Sequence, residues 1–99
     1  MINPIYGAFS AQAEPIGGTR SSTAAHLGGG HYRVNFKEPL SNTPAVVVSP
    51  QTDNLGNGYV VSVSLADVSE SGFSVYIQNL SNPPENKDVA FSFVAALCN

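Results

Sequence analysis

Tyr59–Gln78, YVVSVSLADVSESGFSVYIQ, is the stretch that decides the fold. Tyr59, Val61, Val63 and Leu65 alternate with Val60, Ser62, Ser64 and Ala66, and after a break Phe73, Val75 and Ile77 alternate with Ser74, Tyr76 and Gln78. A period of two puts successive side chains on opposite faces of an extended strand. The break, Ser69–Gly72 (SESG), ends in a glycine free to take positive φ, so the two runs read as a β-hairpin. One face of each run is apolar and the other is small and uncharged.

The same pattern continues on both sides. Upstream, Tyr32, Val34 and Phe36 share one face of HYRVNF, with His31, Arg33 and Asn35 on the other. KEPLSNTP follows as a turn region, because Pro39 and Pro44 cannot donate to a ladder. Ala45–Ser49 (AVVVS) is a near-continuous β-branched run, the signature of a strand buried on both faces. Gln51–Gly58 supplies Asp, Asn and Gly for a tight loop. Downstream, Asn79–Asp88 is a polar loop containing Pro83 and Pro84. Val89–Leu97 then sets Val89, Phe91, Phe93, Ala95 and Leu97 against Ala90, Ser92, Val94 and Ala96. Met1–Gln12 carries a weaker alternation around Ile5, Gly7 and Phe9. Turn signals every 8–12 residues predict a sandwich or barrel, and no window shows a helical period. The expectation is an all-β fold, a six-stranded antiparallel β-sandwich formed as a single domain over residues 1–99. Residues 14–30, rich in small residues and glycine, read as a loop or arm that packs on a neighbouring subunit.

Bulk properties narrow the function. The chain has 99 residues, a formal net charge of −3, four basic residues and one cysteine, Cys98. No internal disulfide is available, so a domain this small gains from oligomerisation. Scattered basic residues argue against nucleic-acid binding. No apolar run approaches the ~18 residues of a membrane span, so no membrane insertion is expected. The N-terminus, without Lys or Arg before Arg20, does not read as a signal peptide.

The outer faces carry the second message. Val60, Ser62, Ser64, Ala66, Ser74, Tyr76, Ala90, Ser92, Val94 and Ala96 include no charge, and of the eleven charged residues only Arg33 falls inside an expected strand. Depletion of charge marks interface centres, so a homo-oligomer of cyclic symmetry is expected.

Catalytic and metal chemistry have no recognisable residue set. His26 and His31 are the only imidazoles, too few for a zinc centre without further ligands. Thr52–Gly58 lacks the acidic spacing of a calcium loop. No serine stands in a nucleophile-elbow context, and GGTRSS lacks the lysine of a phosphate loop. The reading is therefore no enzyme, no metal and no cofactor. Side chains suited to sugar recognition concentrate in two places: Asp53, Asn54, Asn57 and Tyr59, and then Gln78, Asn79 and Asn82, with Glu85 and Asn86 beyond them. Amides and carboxylates hydrogen-bond vicinal hydroxyls, and an aromatic ring offers a stacking face.

The order VNFKEPLSNTPAVVVSP, YVVSVSLADVSESGF, VAFSFVAAL, spanning Tyr32 to Leu97, resembles the H-type lectin domain. Phage-tail and bacterial collagen-like head domains are similar. The resemblance implies a six-stranded sandwich that assembles as a homotrimer, sometimes stacked into hexamers, and that binds N-acetylgalactosamine-type sugars between subunits. It also implies an arginine early on the long strand and a tryptophan–histidine pair after the Gly-Phe hairpin. Those positions fall at about Val60, Leu80 and Ser81, none of which matches, and Phe93 stands where the last strand commonly has tryptophan. The N-terminal acidic contact of the family has no counterpart in the glycine-rich segment. Two functions follow as expectations. One is a non-catalytic, trimeric surface-recognition module binding glycan for attachment, extracellular or on a virion surface. The other is a structural virion protein, a decoration or tail-fibre trimer whose partner is another virion protein.

Overall fold

The computed structural model describes residues 4–51, 61–80 and 85–97. It contains nine strands: β1 Ile5–Phe9, β2 Pro15–Gly18, β3 Ser22–Gly28, β4 His31–Phe36, β5 Ala45–Gln51, β6 Val61–Ser69, β7 Gly72–Asn79, β8 Glu85–Asn86 and β9 Ala90–Ala96. No described residue is helical. Sheet A has the order β2-β1-β9-β5. Sheet B has the order β3-β4-β7-β6, with β8 added at the end of β7. Every pairing is antiparallel.

Six aromatic rings join the sheets. Tyr32 of β4 meets Phe91 of β9 at 5.1 Å, Phe91 meets Phe9 of β1 at 5.7 Å, and Phe9 lies parallel to Phe93 at 6.2 Å. Phe93 then meets Phe73 of β7 edge-on at 5.1 Å, and Phe73 meets Phe36 at 6.0 Å. Val34, Val75, Ile77, Val89 and Ala95 fill the space around them. Burying a side chain of this size contributes about 1.5–3 kcal/mol, and aromatic pairs add about 0.5–1.5 kcal/mol.

The expected alternating strands are all present, and three further strands change the count from six to nine. Two arise from residues 14–30, which form β2 and β3 rather than a loop or arm. β3 pairs with β4 almost residue for residue, from Ser22 opposite Phe36 to His26 opposite Tyr32, and β2 lies against β1. Both are edge strands. An edge strand needs backbone hydrogen bonds more than buried side chains, so Pro-Ile-Gly-Gly joins a sheet with all four residues exposed and leaves no periodicity to read. β5 departs in the other direction. The valine run lies at the edge of sheet A, paired only with β9; Val46 and Val48 turn to the core while Val47 is 69% exposed. The charge expectation also needs amendment. Asp67 falls inside β6, at a bulge between Ala66 and Ser69 with φ of 53°, and Glu85 lies in β8. The bulge aims the Asp67 carbonyl at Arg33, whose Nη1 donates to it at 3.1 Å.

Gly30 is where β7 exchanges partners. The Ile77 amide donates to the Gly30 carbonyl (2.8 Å), and the Lys87 amide donates to the Ile77 carbonyl (3.1 Å). β4 and β8 thus run end to end along one side of β7. Gly30 has φ of +68°, and a Cβ there would collide with the Ile77 carbonyl oxygen, so only glycine fits.

A clasp closes the same corner. Asp88 Oδ1 lies 2.8 Å from His26 Nε2 and accepts the Gly30 amide at 2.8 Å. The His26 ring lies 5.1 Å from Tyr32, whose hydroxyl donates to the Ala11 carbonyl at 2.6 Å. The Gly30 amide, with help from His26, outweighs burial and holds the Asp88 carboxyl below its ordinary 3.8. Burial, reinforced by the Asp88 charge, pushes the Tyr32 phenol from 10.0 up to about 12.

Three outcomes follow for stability. Replacing Phe91→Ala, which removes the ring that links Tyr32 to Phe9, should cost about 3–5 kcal/mol in urea denaturation. In an alkaline titration, stability should hold below pH 10 and fall between pH 10 and about 12, because the unfolded phenol ionises first. The loss is on the order of 2 kcal/mol, and Tyr32→Phe should flatten it. Asp88 acts at the acid end. Its contribution is present above pH 3.8 and disappears as pH falls through the lowered native value; with a half-exposed carboxylate it is worth less than about 1 kcal/mol.

Candidate functional site

Of the residues expected to bind ligand, Gln78 and Asn79 lie at the end of β7; Asp53, Asn54, Asn57, Tyr59 and Asn82 lie outside the described residues. Adjacent positions on a strand face opposite ways, and the burial follows. Gln78 stands on the exposed outer face of sheet B, where its Nε2 donates to Asn86 Oδ1 of β8 at 3.3 Å. Asn79 turns inward and is 8% exposed. The two amides are therefore not brought together. Gln78 instead meets Asn86, which the loop of sequence before Asp88 had already offered.

Tyr76 precedes Gln78 by two positions, so it shares that outer face. Its ring, 40% exposed, stacks on His31 of β4 at 4.2 Å with only 16° between the planes. The strand registers extend this into rows. His31, Tyr76 and Ser64 lie side by side across β4, β7 and β6; Asn86, Gln78 and Ser62 form the next row across β8, β7 and β6. Behind them Arg33 is opposite Ser74, and its guanidinium reaches Ser74 Oγ at 3.4 Å and, through Nε, Asn35 Oδ1 at 3.2 Å. Arg33 is thereby fixed against its own sheet.

The result is a shelf: a two-ring aromatic platform, a pair of side-chain amides along one margin, and serine hydroxyls along the other. Such a surface has the chemistry to stack on the C–H face of a pyranose and to exchange hydrogen bonds with its hydroxyls. His31 and Tyr76 were legible as outer-face residues, but their pairing was not, because it depends on the β4–β7 register. Among the described residues no cluster of three or more His, Cys, Asp or Glu is placed to hold a metal ion.

Sheet A presents a different outer face. Tyr6 and Ala8 of β1, Ser92 and Val94 of β9, and Val47 and Ser49 of β5 border a groove of about 340 Å³. Tyr6 is 50% exposed, Val94 46% and Val47 69%. No charged residue lines the groove.

Comparison with known proteins supplies the remaining observation. No curated protein and no solved structure matches the chain. The family model of the H-type lectin domain matches residues 31–95, about two-thirds of the sequence, running from the start of β4 almost to the end of β9. Within that span Leu80, just beyond the shelf, is 51% exposed. With the hairpin, both shelf rings and most of the aromatic core inside the match, the chain belongs to the H-type lectin domain family.

Proposed function

We propose that the domain is a non-catalytic recognition module that binds a surface glycan on the outer shelf of sheet B and works as a homotrimer. The observation that carries the binding reading is the exposed Tyr76 ring, stacked on His31 beside the Gln78–Asn86 amide pair, in a chain whose family suggests carbohydrate binding. The arginine and the tryptophan–histidine pair that the resemblance led one to expect are replaced here by Val60, Leu80 and Ser81. A shelf built from β4, β7 and β8 offers the stacking surface and the polar groups those residues would have provided. Its specificity then differs from that of N-acetylgalactosamine binders.

The trimer is supported by the charge-free outer face of sheet A. Val47, at the centre of edge strand β5, is largely exposed next to Val94 and Tyr6. Self-association removes that apolar area from water at about 25 cal/mol per Å². The same face favours a second reading, in which the chain is a structural trimer on a virion and its partner is another virion protein rather than sugar. In either case its place is outside the cell or on a particle surface.

A glycan array separates the two readings: saturable hits are expected for the recognition module, and an array with none selects the structural trimer. For any sugar that binds, Tyr76→Ala should weaken affinity at least about tenfold, equivalent to ~1.4 kcal/mol, with an unchanged melting temperature. Light scattering checks the assembly. Wild type should run at about three chain masses, and Val47→Lys should shift it toward one, since it sets a charge in the face without disturbing the core.

A further inference from the structure

The cleft beneath the corner between β2 and β3 is, we propose, a second binding site, one for a small oxyanion such as a sulfate, phosphate or carboxylate group. The corner is Thr19–Ser21, between the end of β2 and the start of β3. Lys37 follows the last residue of β4, and its amide donates to the Ser21 carbonyl at 2.8 Å. That bond brings Lys37 beside Arg20, although 17 positions separate them in the sequence. Both border a cleft of about 310 Å³ with Ala13, Pro15, Ser22, Thr23 and Ala24.

Charge singles this cleft out. Two of the chain's four basic residues meet here in a protein of net charge −3. Neither forms an ion pair among the described residues. The cleft lining contains no acid. The adjoining cleft, about 430 Å³, shares Arg20 and Lys37 but also carries Glu38, so the acid-free side is the one assigned. Two basic residues on the rim of one cleft offer an oxyanion charge-assisted hydrogen bonds from both.

Two further observations fit the same ligand. Ser22 is only 8% exposed and lines the same cleft. Its hydroxyl can serve as a third donor. The backbone is also held in an unfavourable region here. Among the described residues three non-glycine positions have positive φ, and two of them, Ala13 (66°) and Arg20 (60°), border this cleft. Left-handed conformation is disfavoured for any residue with a Cβ, and such strain commonly collects at binding sites. Glycine would sit at position 20 without strain; the position is instead an arginine that lines the cleft. The volume is at the lower end for small-molecule pockets, enough for the anionic group and the small body carrying it. The cleft opens at the end of sheet B remote from the Tyr76 shelf, about 17 Å away along β4.

The test is an amide-resolved NMR titration of the full chain at fixed ionic strength. Inorganic sulfate, glucose 6-sulfate, glucose 6-phosphate and glucuronate are the probes, with neutral glucose as the control. Saturable shifts at Ser21, Ser22, Thr23 and Lys37 are expected for at least one anionic probe, and the probe saturating at lowest concentration identifies the anion class. Arg20→Gly relieves the positive φ, so it should keep a dispersed, folded spectrum while weakening binding at least about tenfold. Lys37→Gln should do the same, and Tyr76→Ala should leave anion binding intact. Saturation by no anionic probe, equal shifts with glucose, or binding unchanged in both Arg20→Gly and Lys37→Gln would overturn the assignment. Because the shelf and the cleft are read by different residues, failure here leaves the glycan reading untouched.

Discussion

A single file of rings holds this molecule together. Tyr32, Phe91, Phe9, Phe93, Phe73 and Phe36 touch in that order, crossing from sheet B to sheet A and back, and they include all five phenylalanines of the chain. In a domain of this size the surface buried per residue is small, so a few large side chains must do what a broader core does elsewhere. The rings also fix geometry. Each of β1, β4, β7 and β9 contributes at least one, and slipping any of these strands by one residue would turn its rings to solvent. The register that results sets His31 opposite Tyr76 and Gln78 opposite Asn86. The shelf is therefore a product of the core, built from the alternate residues of the same strands.

The two outer faces differ in chemistry. Sheet A is left bare of charge, with valine and tyrosine standing out beside glycine, alanine and serine. Sheet B carries both histidines, the one arginine that lies within a strand and the Gln78 and Asn86 amides. Arg33 is tied to the Asp67 carbonyl, Ser74 and Asn35, so its guanidinium is held against its own sheet. The apolar, charge-free surface and the polar, ring-bearing surface thus lie on different sheets of one small body.

How much of this could be read without coordinates depends on which interaction shaped each segment. Strands whose formation is driven by burying one face wrote that requirement into the sequence, so β4, β6, β7 and β9 stood out, and the Ser69–Gly72 hairpin marked where two of them meet. β2 and β3 are held mainly by backbone hydrogen bonds at sheet edges, an interaction that any side chain permits, and Pro15–Gly18 left no trace. Burial on both faces was a natural reading of Val46–Val48, yet a valine run is also what an edge strand carries when its exposed face meets a partner. At the site, Gln78 was legible from composition and Asn79 fell on the wrong side of the strand, because parity along a strand decides direction before chemistry does. Tyr76 with His31, and Arg20 with Lys37, are pairs made by register and by a corner, and nothing local in the sequence announces either.

Gly30 adds a consequence of its own. Because β7 finishes its pairing with β4 at this glycine and takes up β8 beyond it, the two exposed residues of β8 join the sheet by backbone pairing and not through the interior rings. Lengthening a connection costs only about 0.6 kcal/mol per doubling. Descendants of this sequence are thus free to rewrite the rim of the shelf, by insertion as readily as by substitution, while the interior stays as it is.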